Sequence, residues 1–201
     1  MDRGETPLTV QRRGPGSRAG GDHPTRLELL DAAAAIAGDR GIEALTVAAV
    51  TNSAGHAKGT FYVHFDDRTE LLTELHRRFH DTLFESIRHS TAGMTAGPER
   101  AAARIEGFLD GCRDQPTVRA MLLEAQSLPE IAELVRRRND EAAADLSSEL
   151  RGFTPHPKET ARLLVSATIE VAMQELSAGR RLQRLRSALL DLIPKKKPAQ
   201  A

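Results

Sequence analysis

Residues 25–97 contain no proline, although the chain carries ten prolines elsewhere. Proline interrupts helix interiors and marks element edges, so a clear run of this length can hold several helices in succession. The prolines at 98, 116, 129, 155, 157, 194 and 198 then cut the remainder into helical lengths. The residue types agree: 29 alanines and 24 leucines against seven aromatic residues and no tryptophan favour helix over sheet. The spacing predicts an all-α chain of about nine helices. With 201 residues there is enough chain for one or two small domains around a real core.

Several function classes are excluded early. Lysine plus arginine equals aspartate plus glutamate at 28 each, so any nucleic-acid partner must be recognised locally rather than through a global basic field. The single cysteine, Cys112, rules out an intrachain disulfide framework and all-cysteine zinc sites and suits a reducing compartment. Residues 1–13 have no apolar run of signal-peptide type, and no stretch reaches the length a membrane span needs. The expectation is a soluble cytoplasmic protein with no cofactor and no membrane partner.

Residues 1–24 are rich in glycine and proline and nearly free of apolar side chains, and read as a disordered arm. The stretch Gly14-Pro-Gly-Ser-Arg-Ala-Gly has the glycines of a nucleotide loop but no strand before it. Thr25 can cap a first helix with Leu29, Leu30, Ala33, Ile36 and Ala37 on one stripe, ending near Gly41. Thr46 can cap a short second helix that stops at Gly55. A third runs over residues 57–64, with Phe61 and Phe65 inward and Lys58, Thr60, Tyr62 and His64 assigned to the opposite face. Asp66 and Asp67 suit the start of a long helix with Leu72, Leu75, Phe79, Leu83 and Ile87 at spacings of three and four. Further helices follow Pro98, Pro116 and Pro129, then residues 158–177 and 179–193.

Two short helices joined by a glycine-containing turn are the geometry of a helix-turn-helix, whose second helix enters the DNA major groove. On that geometry Lys58 and Tyr62 reach phosphates, Thr60 and His64 reach base edges or phosphates, and Gly59 keeps the helix surface low where it meets the nucleic-acid backbone. An ordinary helical hairpin with a solvated face has the same periodicity. The run Leu29-Leu-Asp-Ala-Ala, Gly41, Thr46-Val-Ala-Ala-Val-Thr-Asn-Ser-Ala-Gly, Lys58-Gly-Thr-Phe-Tyr-Val-His-Phe and Glu70-Leu-Leu resembles the DNA-binding domain of TetR-family transcriptional regulators. The resemblance covers about residues 25–73. It implies a homodimer that binds a palindromic operator in double-stranded DNA, a C-terminal half that binds a small-molecule effector, and no enzymatic activity. The DNA-contacting set it implies is Thr46, His56, Ala57, Lys58, Gly59, Thr60, Tyr62, His64 and Arg68. The chain departs from the family pattern at Ala57, where a capping serine or threonine is usual, at Val50-Thr51 in place of Ile-Ala, at Arg68 in place of lysine, and at Ala37 in place of a large aromatic. Residues 25–90 hold seven cations against ten acids, so binding there must rest on a few placed charges.

The predicted organisation is an arm over 1–24, a helix-turn-helix domain over 25–73, a ligand-binding and dimerisation domain over 74–193 and a tail over 194–201. No GxSxG, HExxH or Glu-x-x-His pattern supports an enzyme. His76 and His80, at i and i+4, would put two imidazoles on one helix face, solvated or on a metal, with no third ligand evident. In residues 158–177, Leu164, Ala167 and Val171 form one stripe and Val165, Ile169, Ala172 and Leu176 another. With Leu182, Leu185, Leu189 and Leu192 beyond them, the second stripe predicts a homodimer through the two C-terminal helices, although both stripes could instead be internal core. Phe84, Ile105, Phe108, Leu109, Cys112, Leu122, Ile169 and Met173, with polar Gln126 and Arg137, are the candidate effector lining. A helical protein that binds a small molecule or a metal without operator DNA is the competing reading.

Overall fold

The computed structural model describes residues 23–115 and 129–195. Over these the chain forms eight α-helices and no strand. They are α1 (Pro24–Arg40), α2 (Val47–Ser53), α3 (Lys58–His64), α4 (Arg68–Thr91), α5 (Pro98–Asp114), α6 (Pro129–Glu149), α7 (Pro157–Ala178) and α8 (Gln183–Asp191). The helix expected after Pro116 lies outside the described residues.

Local chemistry sets most boundaries. Thr46 caps α2 by accepting from the Ala49 amide at 3.1 Å, and Asp67 caps α4 by accepting from the Glu70 amide at 2.9 Å. Glu70 reaches back to the Asp66 amide, so the two acids at the start of α4 serve a reciprocal cap. The first helix starts two residues earlier than the sequence predicts, with Pro24 in its first turn and the His23 imidazole, rather than Thr25, as the cap. A short 3-10 turn over Ile42–Ala44, unmarked in the sequence, follows Gly41. Gly179 ends α7 in the left-handed region (φ 63), and α8 begins only at Gln183, later than expected.

Two apolar clusters organise the helices. The first joins α1, α2, α3 and the start of α4 through Leu29, Ile36, Leu45, Val50, Phe61, Phe65 and Leu72. Ile131, from the first turn of α6, is fully buried in this same cluster. The second cluster holds Phe79, Leu83, Ile105, Leu109, Leu146, Leu164, Val171 and Leu189 from α4 through α8. Here α4 packs on α5 and α6, α7 lies against α5 and α6, and α8 folds back on α7. The α4–α5 approach is close because a Cβ built on Gly111 would sit 2.2 Å from a methyl of Leu83.

Buried ion pairs tie the ends of this second unit. Glu149, 2% exposed, accepts from the Gly97 amide and from Arg100 at 3.0 Å and pairs with Arg104, locking the start of α5 to the end of α6. Arg186 and Glu175, each 1% exposed, pair across α8 and α7, and Arg186 also reaches Asp110 on α5 at 2.6 Å.

Both stripes of α7 are interior. Leu164, Val165, Val171, Ala172 and Leu176 are buried within this single chain and Ala167 and Ile169 are partly so, because α5, α6 and α8 all pack against α7. The expectation that the second stripe awaits a partner is therefore corrected. On the outer surface Leu163 is 72% and Leu192 62% exposed. No described helix is long and apolar enough to cross a membrane.

Candidate nucleic-acid interface and ligand groove

Helices α2 and α3 meet at a turn in which Gly55 takes a positive φ of 71, a conformation costly for any residue with a side chain. The inner faces are fixed by Val50, Phe61 and Phe65 in the core. Thr51, where the family pattern has alanine, is buried, and its hydroxyl donates to the Val47 carbonyl at 2.9 Å, so the polar group is satisfied.

The outward face of α3 differs from the sequence expectation. Lys58, Gly59, Tyr62 and Val63 are exposed, Thr60 is half-buried and His64 is buried. The expected set 58, 60, 62 and 64 follows a period of two, whereas a helix places 58 with 62 and 59 with 63. His64 instead packs its ring 4.9 Å from that of His23, and burial lowers its pKa, with His23, Arg26 and His56 pushing the same way. Val63, 47% exposed beside Tyr62, is the surface residue that the sequence reading missed.

The charges near this surface are mostly committed. Arg26 pairs with Glu74 and lies over the Phe65 ring. Arg77 bonds Glu74 and Asp81, Arg78 pairs with Asp31, Arg88 with Glu85, and Arg40 stands at 3.8 Å from Asp39. Arg68, expected to fork onto a phosphate, instead donates to the Leu45 and Ile42 carbonyls at 2.7 and 2.6 Å, which fastens α4 to the turn before α2. His56 contacts Glu28 at 2.7 Å. Among the described residues 25–90, Lys58 is the cation without an acidic or carbonyl partner, and it stands in the first turn of α3. Ala57 precedes it as an N-cap with no side-chain hydrogen bond, and Thr46 is exposed at the start of α2.

A second feature lies between α4, α5, α6 and α7. It is an apolar groove of about 60 Å³ lined by Phe84, Ile87, Ile105, Phe108, Leu146, Val165 and Ile169, with Arg88, Arg104, Asn139, Asp145 and Thr168 as its polar members. Phe84, Ile105, Phe108 and Ile169 are thus brought together as the sequence predicts. Leu109 and Cys112 sit behind them in closed core, where burial pushes the Cys112 thiol up to about 12. Met173 lies outside this groove, in a shallower one shared with Glu170, Gln174 and Leu182, and Arg137 is exposed on α6. Leu122 and Gln126 fall outside the described residues. The α6 contribution had a readable signal in Asn139, Ala142 and Leu146, spaced by three and four.

His76 and His80 are neither solvated nor arranged for a metal. They are 0% and 3% exposed, and their rings stack 4.6 Å apart with planes 27° from parallel. Rings so aligned direct their lone pairs side by side rather than at one point. No group of three or more candidate ligands for a metal ion occurs among the described residues.

A family model described as bacterial regulatory proteins, tetR family, matches residues 29–75, which span α1 to the first turns of α4. The chain is 40% identical over 90 residues to the HTH-type transcriptional repressor KstR2 of Mycobacterium tuberculosis, covering 45% of this chain and 43% of that relative. It therefore spans under half the length of that protein in the match. It is 26% identical over 178 residues to the HTH-type transcriptional activator FasR of Mycolicibacterium smegmatis, covering 82% of this chain and 80% of the relative. The crystal structure of the regulator FadR from Bacillus subtilis in complex with stearoyl-CoA shares the fold, with a TM-score of 0.69 at 15% identity over 84% of this chain and 97% of that one. With the family model seated on the four helices that hold α3 outward, residues 29–75 carry the helix-turn-helix domain of bacterial regulatory proteins of the tetR family, and the chain is similar to regulators of transcription.

Proposed function

We propose that the chain is a dimeric repressor that binds a near-palindromic operator through α3 and leaves it when an effector occupies the groove between α4, α5, α6 and α7. The observation that carries the reading is the exposed strip of α3. Its unpaired Lys58 and phenolic Tyr62 suit phosphate oxygens, Val63 and Thr60 suit base edges including a thymine methyl, and Gly59 lets the helix lie close to the duplex. Thr46, His56 and Ala57 flank the strip, while buried His64 and committed Arg68 support it from behind.

Domain boundaries near 73 and 194, with an arm before 24, remain the working division, and residues 1–22 and 196–201 are outside the described chain. The dimer would form on the outer faces of α7 and α8, where Leu163 and Leu192 project and a shallow groove runs past Glu170, Met173 and Gln174. That surface is more polar than a double apolar stripe would make it.

Effector control has two physical supports. The 24 residues of α4 form one unbroken helix from the α3 junction to the groove, a lever of about 36 Å. In addition, α6 lines the groove with Asn139, Ala142 and Leu146 and puts Ile131 into the helix-turn-helix core. The groove is far smaller than the several hundred Å³ that drug-sized ligands fill, so an occupant must part α4 from α6. Recognition helices must stand about 34 to 36 Å apart to enter successive major grooves, so a small change in tilt is enough to disfavour the bound state. The FadR neighbour, in complex with stearoyl-CoA, supports a helical half that accommodates a long apolar molecule.

Selection of genomic fragments with the purified protein tests the operator reading; the expected result is one enriched near-palindrome bound in a salt-sensitive way, and no enrichment refutes it. On that operator, Lys58→Ala and Tyr62→Ala should weaken all sites alike, whereas Val63→Ala should change base preference.

A further inference from the structure

His76 and His80 belong to neither the α3 surface nor the groove lining. Among the described residues none of their four ring nitrogens has a hydrogen-bond partner, and Nε of Arg138, across on α6, is likewise unpartnered. The two imidazoles continue a file of rings: His80 stacks on Phe84 with centroids 5.8 Å apart, and Phe84 meets Phe108 at 6.3 Å. Phe84 and Phe108 line the groove. The file therefore leads from the apolar groove to a buried polar end, in the direction of Leu75 and the helix-turn-helix core.

That end has a defined chemistry. Burial pushes His76 down to about 4, partly offset by its own backbone, and His80 down to about 3, with His76 and Arg138 acting in the same direction. Both rings are then neutral near neutral pH, and each offers one N–H and one lone pair. The Arg138 Nη atoms are already held by Asp81 and Glu141, leaving only its Nε–H. Buried donors and acceptors left unpaired are costly, and a group that both donates and accepts satisfies more of them than one that only accepts.

We propose that the effector is an uncharged lipophilic alcohol whose apolar body lies along Phe84, Phe108 and Ile169 and whose hydroxyl is seated at His80 and His76. This rests on the reading that the groove is the effector site. A ketone or ester would leave the ring lone pairs unmet. A carboxylate would bring a charge that the site is not built to receive, since the nearby guanidinium is already paired.

The test uses the full chain labelled with ¹⁵N-histidine, with 1-decanol and 1-chlorodecane as probes of equal length. The expected result is that decanol binds about ten-fold tighter and moves the ring-nitrogen resonances of His76 and His80, assigned by His76→Gln and His80→Phe. His80→Phe keeps the ring file and removes the nitrogens, so the preference for the alcohol should fall toward unity. Equal affinity for the two probes, a preference that survives His80→Phe, shifts confined to other histidines, or no binding of decanol each overturns the proposal. If His80→Phe does not fold, the wild-type shifts and probe ratio decide it. Operator binding, measured on the same preparation, reports the regulator reading separately: it can stand while decanol fails, or fail while decanol binds.

Discussion

Gly59 separates what α3 needs for stability from what it needs for function. A Cβ built there meets nothing within 4 Å and the backbone is ordinary helix, so in the free protein alanine should be the better residue, by about 1 kcal/mol. On DNA the same methyl would stand between the helix and the duplex. Gly59→Ala is therefore expected to raise the urea midpoint while weakening operator affinity, read by denaturation and gel shift on one preparation. At this scale the sequence disclosed which residue types matter better than where they point. Phe61 and Phe65 were legible as core because aromatic side chains four apart mark one helix face. His64 was misplaced because a polar residue was assumed to face water, although the period of the helix puts it with Phe61 and Phe65. Arg68 could not be placed by sequence at all, since its partners are two backbone carbonyls more than twenty residues away.

At the scale of elements, α7 and α8 depend on a pair that no pattern announces. Arg186 and Glu175 are both almost fully buried, and removing one partner leaves an uncompensated charge in the core. Arg186→Leu should cost about 3 kcal/mol or more. The double variant Glu175→Gln/Arg186→Leu should recover part of that, because glutamine carries no charge and can still accept from the Leu182 amide that Glu175 now caps. Urea denaturation of the two variants checks both statements. Helix ends were legible to within a residue or two at most prolines, glycines and capping side chains, the exception being α8, which begins four residues beyond Gly179. The partner of each stripe was not legible: α7 carries two apolar stripes because α5, α6 and α8 all pack against it, and sequence cannot distinguish a neighbour within the chain from one in a second copy.

At the scale of the whole molecule, the buried imidazoles of α4 make folding depend on acidity. Their folded pKa values, about 4 and about 3, lie below the ordinary value of 6.5. The unfolded chain therefore takes up protons first, and stability falls as the pH drops below that value. Between pH 7 and about 5.5 the loss should be about 1 kcal/mol for each ring. Glu74, held at about 2 by hydrogen bonds from Arg77 and Arg26 that overcome its burial, adds a similar dependence only below its ordinary 4.5. Chemical denaturation at the two pH values measures the slope; His80→Phe should remove about 1 kcal/mol of the change, and His64, whose pKa burial also lowers, adds to what remains. The motif marks the helices that build the first apolar cluster, yet one member was invisible, because nothing in the sequence assigns Ile131 to the helix-turn-helix core. That contact bears on how such proteins exchange parts. A head comprising α1 to α4, cut out and joined to another body, would carry an unfilled socket where Ile131 now sits. Chimeras of this protein should work only when the recipient supplies an apolar side chain of matching size at the start of its own α6, so head and body here act as a fitted pair rather than as interchangeable modules.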